Sequence, residues 1–580
     1  MNRREFLDVL LKASVTAGIG GCAPLASSPE AFYRYDTASD ARLLHITDTH
    51  AQLNPIYFRE PNINLGLGSA RGQWPHLVGN NLLRAFPTSD SRLRHALTYL
   101  DFSEAAERYG KVGGFAHLKT LLDGLRAGAN GRALLLDGGD TWQGSGTALW
   151  TRGQDMIAAC NLLGVDVMTG HWEFTYLQDE VRQNVEAFAG EFVAQNVKAT
   201  EDALFEGVEV WDEDTGHAFK PYVIERVGDH RIAVVGQAFP YTPIANPRRF
   251  IPDWTFGIQE ADLKELVAEI RSVEKPSAVV LLSHNGMDVD LKLASRVPGI
   301  DFILGGHTHD GVPVPVAVEN SGGTTIVTNA GSNGKFVGVL DLNFGRDGIA
   351  DYTYRLMPVF ANLLDPDPQM LSLIGQIREP HESQLSEVLA ETESVLYRRG
   401  NFNGSFDQVI CDAMIEQLDA QIALSPGFRW GTSLLPGQQI TMEHVLDQPA
   451  MTYPETYVRS MTGEEISFIL ESVCDNLFNA DPYLQQGGDM VRMAGMNYTC
   501  APNAKMGNRI RELRLDDGAP LEASRTYRVA GWATVGAKSP GAPIWDVVAD
   551  HLRAHGTIRI DRLNEPRLIG VEQNPGYEKL

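Results

Sequence analysis

The chain has 580 residues, too many for one ordinary hydrophobic core, so two large domains are expected. With 43% hydrophobic and 21% charged residues it has the composition of a folded protein and leaves little room for extensive disorder. A formal net charge of -25 argues against a nucleic-acid surface, which needs clustered Lys and Arg, so an anionic substrate would have to be held by local cations.

In chain order, Arg3 and Arg4 precede the mildly apolar stretch Val9 to Gly20 and the small-residue segment Cys22 to Ser28. This order fits a twin-arginine export signal over residues 1–28, with a periplasmic destination, against the plainer reading of an amphipathic N-terminus. Cys22 stands in a partial likeness to a lipoprotein cleavage box, and lipid anchoring there is the lesser reading. No other apolar run is long enough to span a membrane. Cys160, Cys411, Cys474 and Cys500 form no close pairs of the zinc-binding kind. A Cys474–Cys500 disulfide is left open, with buried free thiols favoured.

From Ala41 to Leu356 short apolar runs alternate with helix-period segments, the pattern of a layered α/β domain over 41–356. The strands expected are Leu43–Ile46, Ala133–Leu136, Val165–Met168, Ile232–Val235, Ala278–Leu282 and Phe302–Leu304. Phe115, Leu118, Leu122 and Leu125 recur at helical spacing. The segment Asn54 to Tyr109 separates the first strand from its helix by far more than an ordinary βα loop, and an excursion of that size usually shapes a site. After Asp365-Pro366-Asp367-Pro368 the pattern breaks, and Gln369 to Leu396 reads as one long helix, a helical linker over 365–396. A second α/β domain of different topology is expected over 399–575, with a helix near Gly463–Leu477 and a strand at Thr526–Gly531.

Several apolar strands run into residues able to bind a metal: Asp48-Thr49-His50, Gly139-Asp140, Gly170-His171, Ser283-His284 and His307-Thr308-His309. Carboxyl ends of strands in open α/β sheets face one crevice, so these groups should converge. Alternation within each X-Thr-X trio would point both ligating side chains the same way. Mixed carboxylate and imidazole donors suit Mn, Zn or Fe better than Mg or Ca, and a central Asp140 could bridge two ions. His45, His76, His95 and His117 lack such partners and read as structural.

In their order, Asp48-x-His50, Gly139-Asp140, the Gly170 turn, His284 and Gly306-His307-x-His309 resemble the motifs of the calcineurin-like metallophosphoesterases, in their 5'-nucleotidase branch. The resemblance implies a catalytic metallophosphoesterase domain followed by a C-terminal 5'-nucleotidase-type substrate-binding domain. It also implies one metal on Asp48, His50, Asp140 and His309, and a second on Asp140, His171, His284 and His307.

The turn Gly170-His171-Trp172-Glu173 departs from the branch, which has Gly-Asn-His-Glu, the Asn a ligand and the His the acid that protonates the leaving alkoxide. Here His171 takes the ligand's place and Trp172 the acid's, or else the loop is shifted and His171 remains the acid. An indole cannot donate a catalytic proton, although an imidazole can replace an amide oxygen on a transition metal. Trp172 also reads simply as core packing. A persulfide leaving group would need no acid.

Gly170 to Tyr176, together with Arg59-Glu60-Pro61, Pro75-His76-Leu77-Val78-Gly79 and Tyr109 to Leu118, is similar to the SoxB thiosulfohydrolases of the periplasmic sulfur-oxidation system. This narrower resemblance implies a dimanganese enzyme, with zinc as the alternative, acting on a SoxYZ carrier protein whose cysteine bears a thiosulfate-derived S-sulfonate. A metal-activated water would release sulfate from it. Arg429, in Ser425-Pro426-Gly427-Phe428-Arg429, would grip the sulfonate oxygens, with a surface salt bridge as the plainer reading, and Tyr176 and Asn196 are further candidates to line the pocket. Near Tyr483 there is no clear second ring to sandwich a nucleotide base, and Tyr483 reads as packing. A secreted nucleotidase and a silent metal-containing binding protein are the rival readings.

Overall fold

The computed structural model describes residues 32–35, 39–346, 348–536 and 538–579; the expected export signal and Cys22 lie outside them. In the short described stretch 32–35 the Phe32 and Tyr33 rings meet edge to face at 5.0 Å. The rest of the chain, from Thr37, forms a single body.

Its first half contains β1 (Ala41–Ile46), β2 (Ala133–Asp137), β3 (Val167–Met168), β4 (Glu191–Phe192), β5 (Lys198–Ala199), β6 (Tyr222–Val227) and β7 (His230–Gln237). These are followed by β8 (Trp254–Thr255), β9 (Ala278–Ser283), β10 (Phe302–Gly305), β11 (Val316–Asn320), β12 (Gly323–Asn329), β13 (Phe336–Gly345) and β14 (Gly348–Pro358). Twelve of them build two six-stranded mixed sheets, in the orders β14-β13-β1-β2-β3-β4 and β11-β12-β10-β9-β7-β6, while β5 and β8 pair only with each other. In the first sheet, β1 to β4 are parallel and β13 and β14 join antiparallel at one edge; in the second, the four central strands are parallel and both edge strands antiparallel.

The sheets pack face to face. Leu43, Leu134 and Leu136 of the first meet Val234, Val280 and Leu304 of the second in one apolar layer. Residues of the other parity, such as Val235, Val279 and Ile303, turn outward onto Leu263, Val267 and Leu293 of the helices Glu260–Glu269 and Met287–Arg296. Both faces of these strands are therefore covered, which is why they read as unbroken apolar runs. Full burial of each such side chain contributes about 1.5–3 kcal/mol.

The excursion forms the helices Gly79–Ala85, Ser91–Leu97 and Phe102–Tyr109 and is pinned at several points. Glu60 accepts from the buried Lys335 ammonium at 2.7 Å, and His76 Nε2 lies 3.1 Å from each carboxylate oxygen of Asp288. Backbone bridges join Tyr57 to Ser433 and Ile63 to Tyr577, so the excursion lies between the early sheets and the C-terminal region.

The long linker helix is not formed. Asp367 caps a helix Pro368–Arg378 by accepting from Met370 N–H at 2.8 Å, but that helix stops at Arg378. Pro380 lacks the N–H needed to continue it, and a 3-10 turn, Glu379–His381, and a short helix, Glu382–Leu385, follow. Val-Leu-Ala-Glu-Thr then forms β15 (Val388–Thr392), because β-branched and apolar residues there alternate against a neighbouring strand.

Beyond it lie β16 (Ile422–Ser425), β17 (Gln439–Thr441), β18 (Thr456–Thr462), β19 (Arg492–Ala494), β20 (Met496–Cys500), β21 (Ile510–Leu515), β22 (Thr526–Trp532), β23 (Thr557–Ile558) and β24 (Arg567–Leu568). The sheet β18-β22-β16-β19 is the centre of this region, with smaller sheets β17-β15-β23 and β21-β20-β24 beside it. Helix Gly463–Phe478, started by the Thr462–Glu465 capping box, sets Ile466 and Leu470 on Leu424 and Val529. Cys160, Cys411, Cys474 and Cys500 are buried free thiols, with the Cys474 and Cys500 sulfurs 3.8 Å apart.

The His76–Asp288 pair makes a pH-dependent contribution. Burial lowers the His76 imidazole pKa, but Asp288 raises it by more, for a net rise; Asp288 is held below the usual carboxylate range by His76 against its own burial. The pair's stabilisation is therefore complete between the unfolded values of 3.8 and 6.5 and is lost as pH rises through the folded His76 value or falls through that of Asp288. His76→Gln should lower the melting temperature most near pH 5–6 and converge on wild type at alkaline pH. A difference that stays constant from about pH 5 to 9 would show that His76 acts by packing alone.

Candidate metal centre

Five loops at the ends of β1, β2, β3, β9 and β10 meet where the two sheets adjoin. The loops after β1 and β2 run side by side: Asp48 N–H donates to Gly139 O and His50 N–H to Asp140 O, both at 2.8 Å. The Asp48 carboxylate then accepts from His307 N–H at 3.0 and 3.1 Å, joining the first sheet's loop to the second's. Strand alternation does not aim these side chains. Asp48, His50, Asp140, His307 and His309 all have positive φ, at 51°, 46°, 58°, 73° and 59°, because the strands have ended and the chain turns back sharply. Each such residue costs on the order of 1–3 kcal/mol, and this kind of strain gathers at functional sites. Gly139, φ +92°, sits where a Cβ would come within 2.9 Å of Thr169 O.

The side chains form two buried sets of four: Asp140, His171, His284 and His307, and Asp48, His50, Asp140 and His309. Within each set the ligand atoms lie within 4.8 Å of one another, and Asp140 belongs to both. Asp140 Oδ2 is 3.0 Å from His284 Nε2, 3.3 Å from His171 Nδ1 and 3.6 Å from His50 Nε2. His309 Nε2 is 3.2 Å from Asp48 Oδ1 and 3.1 Å from His50 Nε2. His171 thus stands in the cage of side chains, which favours the ligand position over that of a free acid.

Glu173, which the sequence reading passed over, is the clamp of this arrangement. Fully buried, it accepts from the backbone N–H groups of His171 (2.8 Å), Asp140 (3.1 Å), Thr141 (2.7 Å) and Trp142 (3.1 Å). It therefore ties the loop after β2 to the turn after β3. Trp172 N–H donates to Asp140 Oδ1 at 2.7 Å. The Trp172 ring turns away into the C-terminal region's core, edge-on to Phe428 at 5.4 Å and Trp430 at 5.2 Å. Packing is thus its structural role.

These residues fit metal ions. His284 Nδ1–H donates to Gly138 O at 2.6 Å, so Nε2 is the ring nitrogen that faces Asp140. Both ring nitrogens of His307 are buried with no hydrogen-bond partner, a costly state for polar atoms unless one faces a cation. Burial brings His50 down to about 4 and lowers His171, His307 and His309, so these imidazoles are neutral and have lone pairs to offer. His284 differs: burial lowers it, but Asp140 and Asp48 together raise it to about 10. Burial opposes ionisation of Asp140, yet His171 and His284 hold its carboxyl well below the usual range.

A cavity of about 830 Å³ opens beside His307. Arg429 lines it, donating to His307 O at 3.3 Å and Gly488 O at 3.0 Å with Asp489 3.5 Å from its Nε. Arg399, also missed from sequence because nothing marks it out beside Arg398, donates to Thr308 O at 2.9 Å and lines the same space. Gly487, φ +82°, closes over the site so tightly that a Cβ would lie 2.3 Å from His307 Nε2. Two expected contacts fail. The Tyr176 hydroxyl is buried and donates to Trp142 O at 2.7 Å and Ala148 O at 3.1 Å, holding the loop after β2 and not facing the cavity. Asn196 is buried and saturated, donating to Ala238 O and Gly257 O and accepting from Ala238 N–H, so it has nothing left for a substrate.

Residues 386–545 match the family model of the 5'-nucleotidase C-terminal domain. The solved structure of the sulfate thiohydrolase SoxB of Thermus thermophilus in complex with glycerol is 36% identical, covers 93% of this chain and 98% of that one, and superposes with a TM-score of 0.86. The chain belongs to the SoxB family. SoxB here stands within the 5'-nucleotidase branch, as sequence relatives also indicate. Protein UshA of Yersinia enterocolitica is 26% identical over 472 residues, 72% of this chain and 80% of that protein. The trifunctional nucleotide phosphoesterase protein YfkN of Bacillus subtilis is 27% identical over 488 residues, 77% of this chain, which spans only 32% of that longer protein. The fold class expected, a metallophosphoesterase domain followed by a nucleotidase-type C-terminal domain, is the one observed. The chain is thus kin to metal-dependent hydrolases, and its two buried sets of Asp and His residues, sharing Asp140, suit a dinuclear metal site.

Shared and unshared ligands should behave differently. Asp140→Asn is expected to lose both metal equivalents on dialysis, and His309→Ala only one, counted by plasma mass spectrometry. Loss of equal amounts would show that Asp140 is not the bridge. Glu173→Gln puts an amide against four N–H donors, and should lower stability by about 1–3 kcal/mol and metal retention with it, read from denaturant midpoints and metal content.

Proposed function

We propose that this chain is a dimanganese thiosulfohydrolase that releases sulfate from a thiosulfate-derived cysteine S-sulfonate, Cys–S–S–SO3−, on a SoxYZ carrier protein during thiosulfate oxidation. The observation that carries the reading is Trp172. Where a phosphomonoesterase of this branch holds its proton donor, this chain holds an indole ring packed edge-on against the stacked pair Phe428 and Trp430. A persulfide leaves as a stable anion, so its departure asks for no proton.

The chemistry that two bound divalent ions supply at such a site is Lewis acidity toward the sulfonate and the attacking water. In this reading Asp48, His50, Asp140, His171, His284, His307 and His309 hold them, with zinc able to occupy the same donors. Arg429 and Arg399 bring fixed positive charge to the part of the cavity wall beside His307, and Lys292, Lys505 and Arg509 line the same space. The Arg429 and Arg399 guanidinium groups are held by the carbonyls of His307, Gly488 and Thr308, so the charge is oriented before a substrate arrives. In the reaction the sulfur–sulfur bond to the sulfone breaks and a sulfur–oxygen bond forms. The electron pair departs on the persulfide sulfur, and both protons of water are released.

Residues 41–356 would supply the metal ligands and 399–575 the substrate cations. The cavity has room for several residues of a carrier segment. No helix of the described residues is long and apolar enough to cross a membrane. Residues 1–28 would direct export to the periplasm by the twin-arginine route. A nucleotidase is the rival suggested by the relatives' names. Against it, the Tyr483 ring is occupied: Lys292 Nζ lies 3.7 Å from its centroid and its hydroxyl donates to Glu260 at 2.7 Å.

The test is Mn-loaded protein given a carrier with a thiosulfate-type cysteine S-sulfonate in one assay and AMP in another. Sulfate release with negligible phosphate is expected, and phosphate release alone would overturn the reading. Trp172→His should raise AMP hydrolysis by about 10²-fold, the scale of a restored general acid. Unchanged phosphate release together with full sulfate release would separate the turn from the choice of reaction.

A further inference from the structure

The helices Ser405–Gln417 and Ile544–His555 pack through Phe406, Ile410, Val548 and Leu552. Their last turns meet at one end, where Glu416 projects from the first helix and His551 and His555 from the second. His551 and His555, four residues apart, share one helix face, the spacing by which a helix presents two imidazoles to one ion. Glu416 Oε2 lies 2.7 Å from His551 Nδ1 and 2.8 Å from His555 Nε2, and the two imidazole centroids are 4.4 Å apart. All three donor atoms lie within 4.8 Å of one another. None of these residues lines the cavity or belongs to the Asp140 centre.

We propose that Glu416, His551 and His555 form a separate site for a divalent transition-metal cation of the zinc type. Two imidazole nitrogens and one carboxylate oxygen are a zinc donor set with a fourth position left to solvent, and they disfavour calcium and magnesium, which seek oxygen. Donors about 2.0–2.1 Å from a tetrahedral ion stand about 3.3 Å apart. Glu416 need only withdraw by about half an ångström to reach that spacing, and its side chain is 46% exposed and free to do so. His551, by contrast, is buried and fixed in place. A second feature favours a cation: both helices end here, so the partial negative charge of two C-termini converges on the three side chains.

The test uses the full-length Mn-loaded protein, its His555→Ala variant and its Glu416→Gln variant, each equilibrated with zinc chloride and desalted. Zinc that exchanges into the Asp140 centre is common to all three and cancels in the comparison. Wild type should retain one zinc per chain more than either variant, and zinc should raise the melting temperature of wild type alone. Without zinc, all three should hydrolyse substrate equally. His555 is 46% exposed, so its truncation leaves the core intact. Equal zinc content in wild type and both variants would overturn the proposal.

Discussion

One buried carboxylate organises this molecule. Asp140 uses one oxygen to accept from Trp172 N–H and turns the other toward His50, His171 and His284. A second carboxylate, Asp48, is equally buried a few ångströms away. Two carboxylates withdrawn from water carry a desolvation cost of several kcal/mol each unless positive charge stands beside them. Of the five imidazoles of this centre, His284 alone is pushed toward its cationic form, and one imidazolium does not balance two carboxylates. The donor set is built for more positive charge than the chain itself brings, which is the electrostatic reason to expect two divalent cations there.

The backbone is shaped to the same end. Five residues of the centre adopt left-handed conformations that ordinary side chains avoid, and the strain persists because neighbouring contacts over-determine it. Glu173 is the chief of these, gathering N–H groups from two loops onto one carboxylate. Asp48 does the same across the sheets by accepting from His307 N–H. The C-terminal region adds its own constraint: Gly487 presses on His307, and Asp489 pairs with Arg492 while standing beside Arg429. Ligand geometry and substrate cations are thus set by one connected network.

Much of this was legible in the sequence, for identifiable reasons. Strands covered on both faces announce themselves as apolar runs, and Ala278–Leu282 or Phe302–Leu304 could hardly be anything else. Residues that end such strands could be picked out as donors because Asp and His rarely interrupt buried sheet edges without purpose. What the runs do not encode is which strand pairs with which, so two stacked sheets were not distinguishable from one. The trios Asp48-Thr49-His50 and His307-Thr308-His309 look alternating on paper, yet positive φ values, invisible in a sequence of non-glycine residues, do the aiming. Tyr176 and Asn196 were misjudged because a polar residue after a strand serves equally well to saturate loop carbonyls. The helix expected over 369–396 failed at Pro380, a stop signal that was present but outweighed by the charged run around it.

Trp172 joins the two halves of the argument. Its backbone belongs to the metal centre, bonded to Asp140, while its ring belongs to the C-terminal core with Phe428 and Trp430. In the same aromatic group Trp430 also stacks on His50, 5.2 Å between centroids. A histidine at position 172 would be small, polar and in need of water or a substrate oxygen, and would leave a void against two aromatic rings. The indole fills that space, excludes water from one side of the Asp140 carboxylate and fastens the C-terminal region to the ligand loops. Dispensing with a proton donor and rigidifying the domain junction are therefore one substitution, not two. In the proposed thiosulfohydrolase reaction the departing persulfide carries its own negative charge, so that reading is compatible with a packing residue at position 172.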